Sequence, residues 1–195
     1  MTAVLANVLR QSWAGLRILL AFTVVLGLAY PLVVFGIAQV LLNDQANGTL
    51  VERNGQVVGS SLIGQTFEGP QWFHSRPSAA GDGYDPMATA GSNLGPESDE
   101  LLALVEERRL AVAEEDGVDA AAVPPDALTA SASGLDPHIS PAYAHQQVAR
   151  VAAERGLAPD VVEALVDEHV QGRVLGFLGA ERVNVLELNL ALAQR

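Results

Sequence analysis

The sequence has no cysteine and no lysine, and its first 42 residues contain no acidic side chain. Without cysteine, the chain has neither a disulfide framework nor a thiolate metal site. Every basic side chain is an arginine, and nine of these 11 arginines follow residue 42 together with all 23 acids. Such an acidic region has no basic patch to neutralise phosphates, which argues against nucleic acid as a partner.

An uncharged apolar run occupies residues Ile18 to Ala38. About 20 apolar residues are enough to cross the hydrocarbon core of a bilayer as a helix. Gly27 and Pro31 lie within the run, and both residue types are tolerated in spanning helices. Trp13 precedes the run, where an amphipathic ring suits the headgroup region. The pattern predicts one transmembrane helix spanning about residues 18–38.

Two other interpretations of this run are weaker. A cleaved signal peptide has an apolar region of roughly 7–15 residues followed by a small-x-small site, whereas this run is longer and no convincing site follows it. A soluble core helix of this length would normally show a polar face. We therefore expect a permanent anchor.

The charges on either side of the run predict its orientation. Arg10 and Arg17 precede it, and Asp44 is the first charge after it. By the positive-inside rule, the N-terminus is cytoplasmic and the rest of the chain lies outside the cytoplasm. We expect a single-pass protein of the cell (inner or plasma) membrane, with residues 1–42 as cytoplasmic N-terminus and anchor and residues 43–195 as one extracytoplasmic domain.

The first part of this domain predicts a hairpin, a loop and a helix. A hairpin should cover Thr49 to Ile63, because Asn54-Gly55 accepts the positive φ angles of a type I′ turn. The stretch from His74 to Gly95 has no periodicity and should be a long loop. A helix should begin at Pro96, followed by acids in its first turn, and end near Gly117.

The second part predicts a further loop, two more helices, a strand and a short helix. The loop runs from Val118 to Ser140, and Ser140-Pro141 should begin a helix that ends before Gly156. The next helix should begin at Pro159. The chain then predicts a strand at Arg182–Leu186 and a short helix at Leu188–Ala193. One hairpin, a late strand and several helices make an α+β domain. The apolar faces of its helices should bury Leu101, Leu104, Val105, Val112, Ala144, Val148, Val151, Ala152, Val162, Leu165, Val166 and His169.

Side chains that could carry chemistry are few. No pair among the four histidines has the helical spacing of a metal site. Ser131, Ser133, Asp136 and His138 lie within eight residues, which raises the possibility of a hydrolase triad, but no G-x-S-x-G elbow is present. Asp136-Pro137 is better interpreted as a turn. Residues 91–96 lead into a helix N-terminus that could bind an anion, although a glycine-permitted turn is favoured.

Arg76 follows the aromatic pair Trp72-Phe73 in a loop. Arginine and aromatic side chains are overrepresented at interface hot spots. The two aromatic rings could equally fill the domain core, and the sequence does not choose between these interpretations.

Several segments of the chain form distinctive motifs. They are Gly59-Ser60-Ser61-Leu62-Ile63-Gly64-Gln65-Thr66-Phe67, Phe73-His74-Ser75-Arg76-Pro77-Ser78-Ala79, Gly91-Ser92-Asn93-Leu94-Gly95-Pro96, Thr129 to Pro141 continued by Gln147, Arg150-Val151-Ala152 and Arg155-Gly156, and Val183-Asn184-Val185-Leu186 with Leu188-Asn189-Leu190-Ala191-Leu192. These segments resemble the C subunit of the Kdp-type potassium-transporting ATPase. They occur in the family's order from about residue 59 to residue 192, and together they are highly specific. Ala90 and Ala132 stand where the family has glycine, and Glu97-Ser98 replaces Thr-Asn.

The resemblance implies a non-catalytic accessory subunit of an ATP-driven, high-affinity potassium importer. The partners it implies are a channel-like pore subunit, a P-type ATPase subunit and a small single-helix subunit. No cofactor is expected on this chain, and ATP and potassium act in the complex. The family role is assembly and stability of the complex, together with a catalytic-chaperone effect that raises the ATP affinity of the ATPase subunit.

The resemblance matches Gln147 to a glutamine implicated in that ATP effect. A domain outside the cytoplasm cannot touch cytoplasmic ATP, so the effect would require long-range coupling. We expect partner contacts at Arg76, Ser92, Asn93, Asp136 and His138. The alternative function is a membrane-tethered extracytoplasmic hydrolase that uses Ser133, Asp136 and His138.

Overall fold

The computed structural model describes residues 2–195, with side chains from residue 3 onward, and divides into two units. The first unit ends at Thr49 and the second comprises Leu50–Arg195. Helices α1 (Thr2–Val24), α2 (Tyr30–Leu41) and α3 (Asn43–Ala46) form the first unit. The helical stretch Ala3–Leu41 has 39 residues, contains an 18-residue window with a mean hydropathy of 2.5, and is long enough to cross a membrane. None of its apolar window is buried, unlike the core helix of a soluble protein.

A π-helical turn at Val25–Ala29 separates α1 from α2. Pro31 has no N–H to donate to the helical ladder, and this proline lies in the first turn of α2. The N–H of Tyr30 bonds to the carbonyl of Val25, five residues earlier, which is the π-helical spacing. The helix thus passes through the proline without ending.

The predicted hairpin is confirmed. Strands β1 (Leu50–Arg53) and β2 (Gln56–Ser60) pair antiparallel, with a bulge between Val51 and Glu52. Asn54 and Gly55 have φ angles of 54° and 76°, as a type I′ turn requires.

The loop predicted from His74 to Gly95 contains neither helix nor strand. The following helix, α4 (Asp99–Asp116), begins three residues later than predicted, so the prediction that Pro96 begins it is wrong. Ser98 is the N-cap instead, because its hydroxyl accepts the N–H of Leu101 at 3.4 Å. Gly117, with φ 67°, ends the helix as predicted.

The region from Val118 to Ser140 is less irregular than predicted. It contains a 3₁₀ turn (Ala120–Ala122), a short helix α5 (Pro125–Leu128) and strand β3 (His138–Ile139). Pro125 occupies the first turn of α5, where its missing N–H is harmless. The proline pair that predicted a loop therefore begins a helix.

Helix α6 (Pro141–Arg155) matches its prediction at both ends. The Ser140 hydroxyl accepts the N–H of Tyr143 at 3.1 Å, and Gly156 follows the helix with φ 66°. Helix α7 (Pro159–Glu168) also begins as predicted. Both helices bury the faces that the sequence assigned to the core, apart from His169, which caps α7 and is half-buried.

The predicted strand at Arg182–Leu186 is two residues too long. Strand β5 (Arg182–Asn184) ends where the Asn184 side chain accepts the N–H of Glu187 at 3.2 Å and so begins α8 (Val185–Leu192). Strand β4 (Val170–Gln171) lies on the other side of β5 from β3, and both pair with it antiparallel. The short C-terminal helix therefore begins three residues before the predicted Leu188.

The domain core forms where α6, α7 and α8 pack against this sheet and against the loop around Phe73. Phe73 is fully buried, so this aromatic side chain belongs to the core. Trp72 is half-buried, and the Arg155 guanidinium lies 4.2 Å from the centre of its ring. The predicted face of α4 is only half-buried, because it lies at the edge of this core.

Candidate functional site

Four loops that carry the motif segments meet at residues 129–136. The N–H of Gly64 donates to the carbonyl of Leu135 at 2.9 Å, and the Ser78 hydroxyl donates to the carbonyl of Gly134 at 2.7 Å. The N–H of Ala90 donates to the carbonyl of Ser133 at 3.1 Å. Three segments from earlier in the chain thus end on one short loop. We call the surface formed by residues 59–67, 73–79, 90–96 and 129–141 the motif surface.

Gly134 is the position in this loop that requires glycine. Its φ angle is 68°, in the region that side-chain-bearing residues rarely adopt. A Cβ atom there would lie 2.7 Å from the Cβ and the N of Ala80 and from the carbonyl of Ala90. The close approach of three segments therefore depends on this missing side chain.

Ala90 and Ala132 do not strain the same surface. Among residues 2–195, the non-glycine residues with positive φ are Thr49, Asn54, Tyr84, Asn93 and Leu175, so alanine at 90 and 132 has an ordinary backbone. The carbonyl of Ala132 lies 3.1 Å from the position of a Cβ on Gly91, which makes Gly91 the small residue at this contact. The departures from the family pattern leave the loop geometry intact.

Arg76, Asp136 and His138 form a connected group on the motif surface. Arg76 Nη1 lies 3.1 Å from Asp136 Oδ2, and its Nη2 donates to the carbonyl of Thr129 at 3.2 Å. Asp136 Oδ1 accepts the backbone N–H of His138 at 3.0 Å and lies 3.2 Å from His138 Nδ1. The three side chains are between 22% and 31% exposed, so a partner could reach them.

The pKa of Asp136 reflects these neighbours. Burial would raise it, but the hydrogen bonds from the side chain and backbone of His138 and the positive charges of His138 and Arg76 outweigh burial, so the pKa lies below its ordinary value of 3.8. The carboxylate is therefore ionised at neutral pH and holds the Arg76 loop against residues 129–136.

This group lines an open depression of about 600 Å³. Opposite it lie Asp126, whose carboxylate accepts both the N–H and the hydroxyl of Ser140, and Arg182 at the start of β5. The depression combines acids and bases with apolar walls, a composition that suits a protein side chain or loop.

The geometry does not assemble the hydrolase triad. Asp136 and His138 do pair, but the Ser133 hydroxyl accepts the N–H of Leu135 at 3.1 Å and lies 3.4 Å from the Ser131 hydroxyl. Among the described residues, no hydrogen bond joins His138 to either serine. A nucleophile requires its base within hydrogen-bond reach, so this arrangement is a turn.

Ser92 and Asn93, the other predicted contact residues, are exposed on the loop before α4. Asn93 has φ 53°, a conformation that asparagine tolerates better than most residues. Neither residue lines the depression beside Arg76, so the two groups of predicted contacts are separate.

Gln147 lies beneath the motif surface and is fully buried. Its Oε1 accepts the N–H of His74 at 2.6 Å, and its Nε2 donates to the carbonyl of the same residue at 3.2 Å. Asn189 makes the equivalent pair with Phe73, at 2.9 Å in both directions. The two amides thus hold consecutive residues of one segment in the way a neighbouring strand would. We call this arrangement the amide clamp.

Gln147 is also held from its other side. Arg150 Nη2 donates to Gln147 Oε1 at 2.7 Å, and its Nη1 donates to the carbonyls of Pro70 and Trp72. Arg150 Nε contacts Asp116 Oδ1 at 2.8 Å, and both side chains of this ion pair are at most 5% exposed. In this structure Gln147 has no surface to offer a nucleotide, and its ATP-affinity role stays a prediction.

Arg150 and Asn189 belong to segments that resemble the family, but no role for them followed from the sequence, and it did not point to Asp116. Polar residues inside otherwise apolar helical faces were the available signal: Asn189 lies among the leucines of α8, and Arg150 lies between the buried Val148 and Val151. Their partners are distant in sequence, so the signal does not identify what they bind.

A comparison with known families now bears on this arrangement. Residues 12–194 match the model of the family described as "KdpC: K+-transporting ATPase, c chain". The chain belongs to the KdpC family. The match covers the apolar helix from residue 12 onward, as well as the motif surface and the amide clamp.

Individual relatives within the KdpC family agree. A "Potassium-transporting ATPase KdpC subunit" of Kineococcus radiotolerans is 62% identical over 192 residues, which cover 98% of this chain and 97% of the relative. The proteins of the same name from Mycobacterium tuberculosis and Koribacter versatilis are 53% and 52% identical, over 94% and 87% of this chain. The aligned residues cover 97% of the Mycobacterium tuberculosis protein and 87% of the Koribacter versatilis protein. The apolar helix and membership of the KdpC family together identify this chain as a membrane protein.

Proposed function

We propose that this chain is the accessory, non-catalytic C subunit of an ATP-driven, high-affinity potassium importer. The match to the KdpC family across residues 12–194 carries the proposal. The printed names of the relatives describe a subunit of a potassium-transporting ATPase. Ser133 and His138 are not hydrogen-bonded to each other, which argues against the hydrolase alternative that would use them.

The proposed topology places the N-terminus in the cytoplasm and residues 43–195 outside. Two arginines and no acid precede Leu42, whereas every acid follows it. Fusing a reporter that is active on only one side of the membrane after Arg195 tests this orientation, and activity on the cytoplasmic side would refute it.

The proposed partners are the channel-like pore subunit, the P-type ATPase subunit and the small single-helix subunit. We assign partner contact to the motif surface, at Arg76, Asp136 and His138 and on the exposed loop of Ser92 and Asn93. Arginine and histidine side chains beside an open depression with charged and apolar walls can make directional hydrogen bonds to a partner, as residues at interface hot spots do.

The acidity of the domain suggests a further role at the potassium entrance. Nine arginines against 23 acids after residue 42 give a field that attracts cations at low ionic strength. Neutralising several exposed acids should weaken the apparent potassium affinity in dilute buffer and leave it unchanged in high salt. An unchanged affinity in both buffers would end this part of the proposal.

We propose that Gln147 affects ATP affinity indirectly, by holding the segment around His74 in position. Its amide holds His74, and Asn189 holds Phe73 in the same way. If position is the cause, Gln147→Leu and Asn189→Leu should weaken ATP affinity of the assembled complex to a similar degree. If Gln147 acts on the nucleotide directly, only Gln147→Leu should do so.

Co-purification tests the proposed function itself. The full chain carrying a C-terminal affinity tag is expressed beside its genomic neighbours, extracted in mild detergent and recovered. We expect a channel-like subunit and a P-type ATPase with potassium-stimulated ATP hydrolysis. Asp136→Asn should reduce their recovery, whereas Asp160→Asn, an exposed acid on α7, should not. Recovery of the wild-type chain alone in several detergents would refute the proposal.

A further inference from the structure

An exposed apolar hairpin tip joins β4 to β5. Every residue from 172 to 181 is exposed. Within it, Leu175 is 80% and Phe177 68% exposed, and Val174 and Leu178 are about half exposed. Four large apolar side chains that are adjacent and lack cover typically mark an interaction site on a soluble domain. We call residues 172–180 the apolar tip.

The apolar tip has a defined shape. Val174 and Leu178 form an antiparallel bridge, with N–H···O distances of 3.0 and 2.9 Å in the two directions. The N–H of Gly176 donates to the carbonyl of Arg173 at 3.0 Å. These bonds close a tight turn, so its backbone would lose little conformational freedom on binding.

Leu175 adds a second observation. Its φ is 54°, a left-handed conformation that leucine adopts at a cost of about 1–2 kcal/mol and that glycine or asparagine adopts with ease. The Leu175 side chain is 80% exposed, so its own packing offsets little of this strain, and the backbone hydrogen bonds of the turn hold the conformation. Strained backbone that is held in this way clusters at functional sites.

Charge decides what kind of surface can cover the apolar tip. Arg173 is the only Asp, Glu or Arg between Glu168 and Glu181, whereas the chain after residue 42 carries 23 acids against nine arginines. The domain that carries the apolar tip is therefore acidic overall, and an anionic bilayer surface or a second copy of this domain would repel the domain as a whole. A neutral or basic protein surface would not.

We propose that the apolar tip is a docking element that inserts Leu175 and Phe177 into an apolar recess on a neutral or basic surface of another subunit of the transport complex. This inference rests on the proposed function, because that function supplies the partner subunits. Buried aromatic and aliphatic anchors of this kind carry much of the affinity of protein interfaces. The apolar tip is separate from the depression beside Arg76, whose lining reaches only Ala180 at the end of this segment.

The first test compares two double variants of the tagged full chain in the assembled complex. Leu175→Gln with Phe177→Gln removes the apolar anchors, and Leu102→Gln with Leu110→Gln changes two leucines of α4 that are 58% and 56% exposed. We expect the tip variant to weaken retention of the partner subunits roughly tenfold and the α4 variant to leave it unchanged. Equal retention by the tip variant and the wild type would overturn the proposal.

The second test separates docking from folding. Leu175→Asn relieves the positive φ, so it should leave the thermal midpoint of the chain unchanged or raise it while it weakens the complex. A lowered midpoint would mean that the tip serves the fold instead.

A photo-crosslinking amino acid in place of Phe177 identifies the occupant. Crosslinks to another subunit support the proposal, whereas crosslinks to lipid, to a second copy, or to nothing overturn it. Failure of the wild-type chain to recover any subunit would instead refute the proposed function, so the two failures are distinguishable.

Discussion

Replacing Arg150 by leucine should destabilise the domain far more than replacing an exposed arginine. The change removes the cation from Asp116, whose side chain is 2% exposed, and leaves that carboxylate with one bond, from Gln146 Nε2 at 2.7 Å. It also removes the donors to the carbonyls of Pro70 and Trp72. Breaking a buried ion pair by removing one partner costs about 3–5 kcal/mol.

That loss is large against the roughly 5–15 kcal/mol by which domains are stable. With a denaturant slope of about 2 kcal/mol per M, it should lower the urea midpoint by about 2 M. The assay is urea unfolding of the full chain in detergent, in a Trp13→Phe background. Because the chain has two tryptophans, Trp72 beside Phe67 and Arg155 then reports on the domain alone.

Two controls make the result interpretable. Arg53→Leu removes an exposed arginine that donates one hydrogen bond, to the carbonyl of Ala193, and should cost less than about 1 kcal/mol. Combining Arg150→Leu with Asp116→Leu removes both buried charges and should recover part of the loss. An Arg150→Leu midpoint no lower than that of Arg53→Leu would refute the reasoning.

Three further predictions concern the motif surface. Gly134→Ala should lower stability by more than Gly117→Ala, because both positions have φ near 68° but only Gly134 lacks room for a Cβ atom; equal urea midpoints would contradict this. Burial raises the pKa of Tyr84 to about 12, so the contribution of its neutral hydroxyl to stability should be complete below pH 10 and be lost as pH rises towards 12. Tyr84→Phe should flatten this part of a stability–pH curve. The lowered pKa of Asp136 means that its contribution is present above about pH 4 and lost as pH falls further; Asp136→Asn should reduce the acid loss measured by Trp72 fluorescence.

The elements that the sequence predicted well are those determined by neighbouring residues. Asn54-Gly55 forms its turn, and Ser140-Pro141 and Gly156 bound α6, because each acts on backbone groups within a few residues. The misplaced boundaries have the same origin. Ser98 competes with Pro96 for the start of α4, and Asn184 ends β5 by capping α8, and in both cases a side-chain hydrogen bond decides between two acceptable positions.

The candidate site was only partly predictable. The motif segments identified the loops, yet nothing in their spacing showed that residues 129–136 would receive the other three. The roles of Gln147 and Asn189 depend on a segment more than 70 residues away. The exposure of the apolar tip was not predicted, because a short apolar run such as residues 174–178 is equally typical of a buried strand. Whether such a run is buried or exposed depends on the folded domain.

The amide clamp also determines when the domain can be completed during synthesis. The hydrogen-bond partner of Phe73, Asn189, is synthesised 116 residues later, and the partner of His74, Gln147, is synthesised 73 residues later. At a synthesis rate of about 5–20 residues per second, the segment around Phe73 remains without its partners for at least about 6 seconds after it is made. Until α8 has been synthesised, the segment around Phe73 lacks the Asn189 amide that holds its backbone in the folded domain.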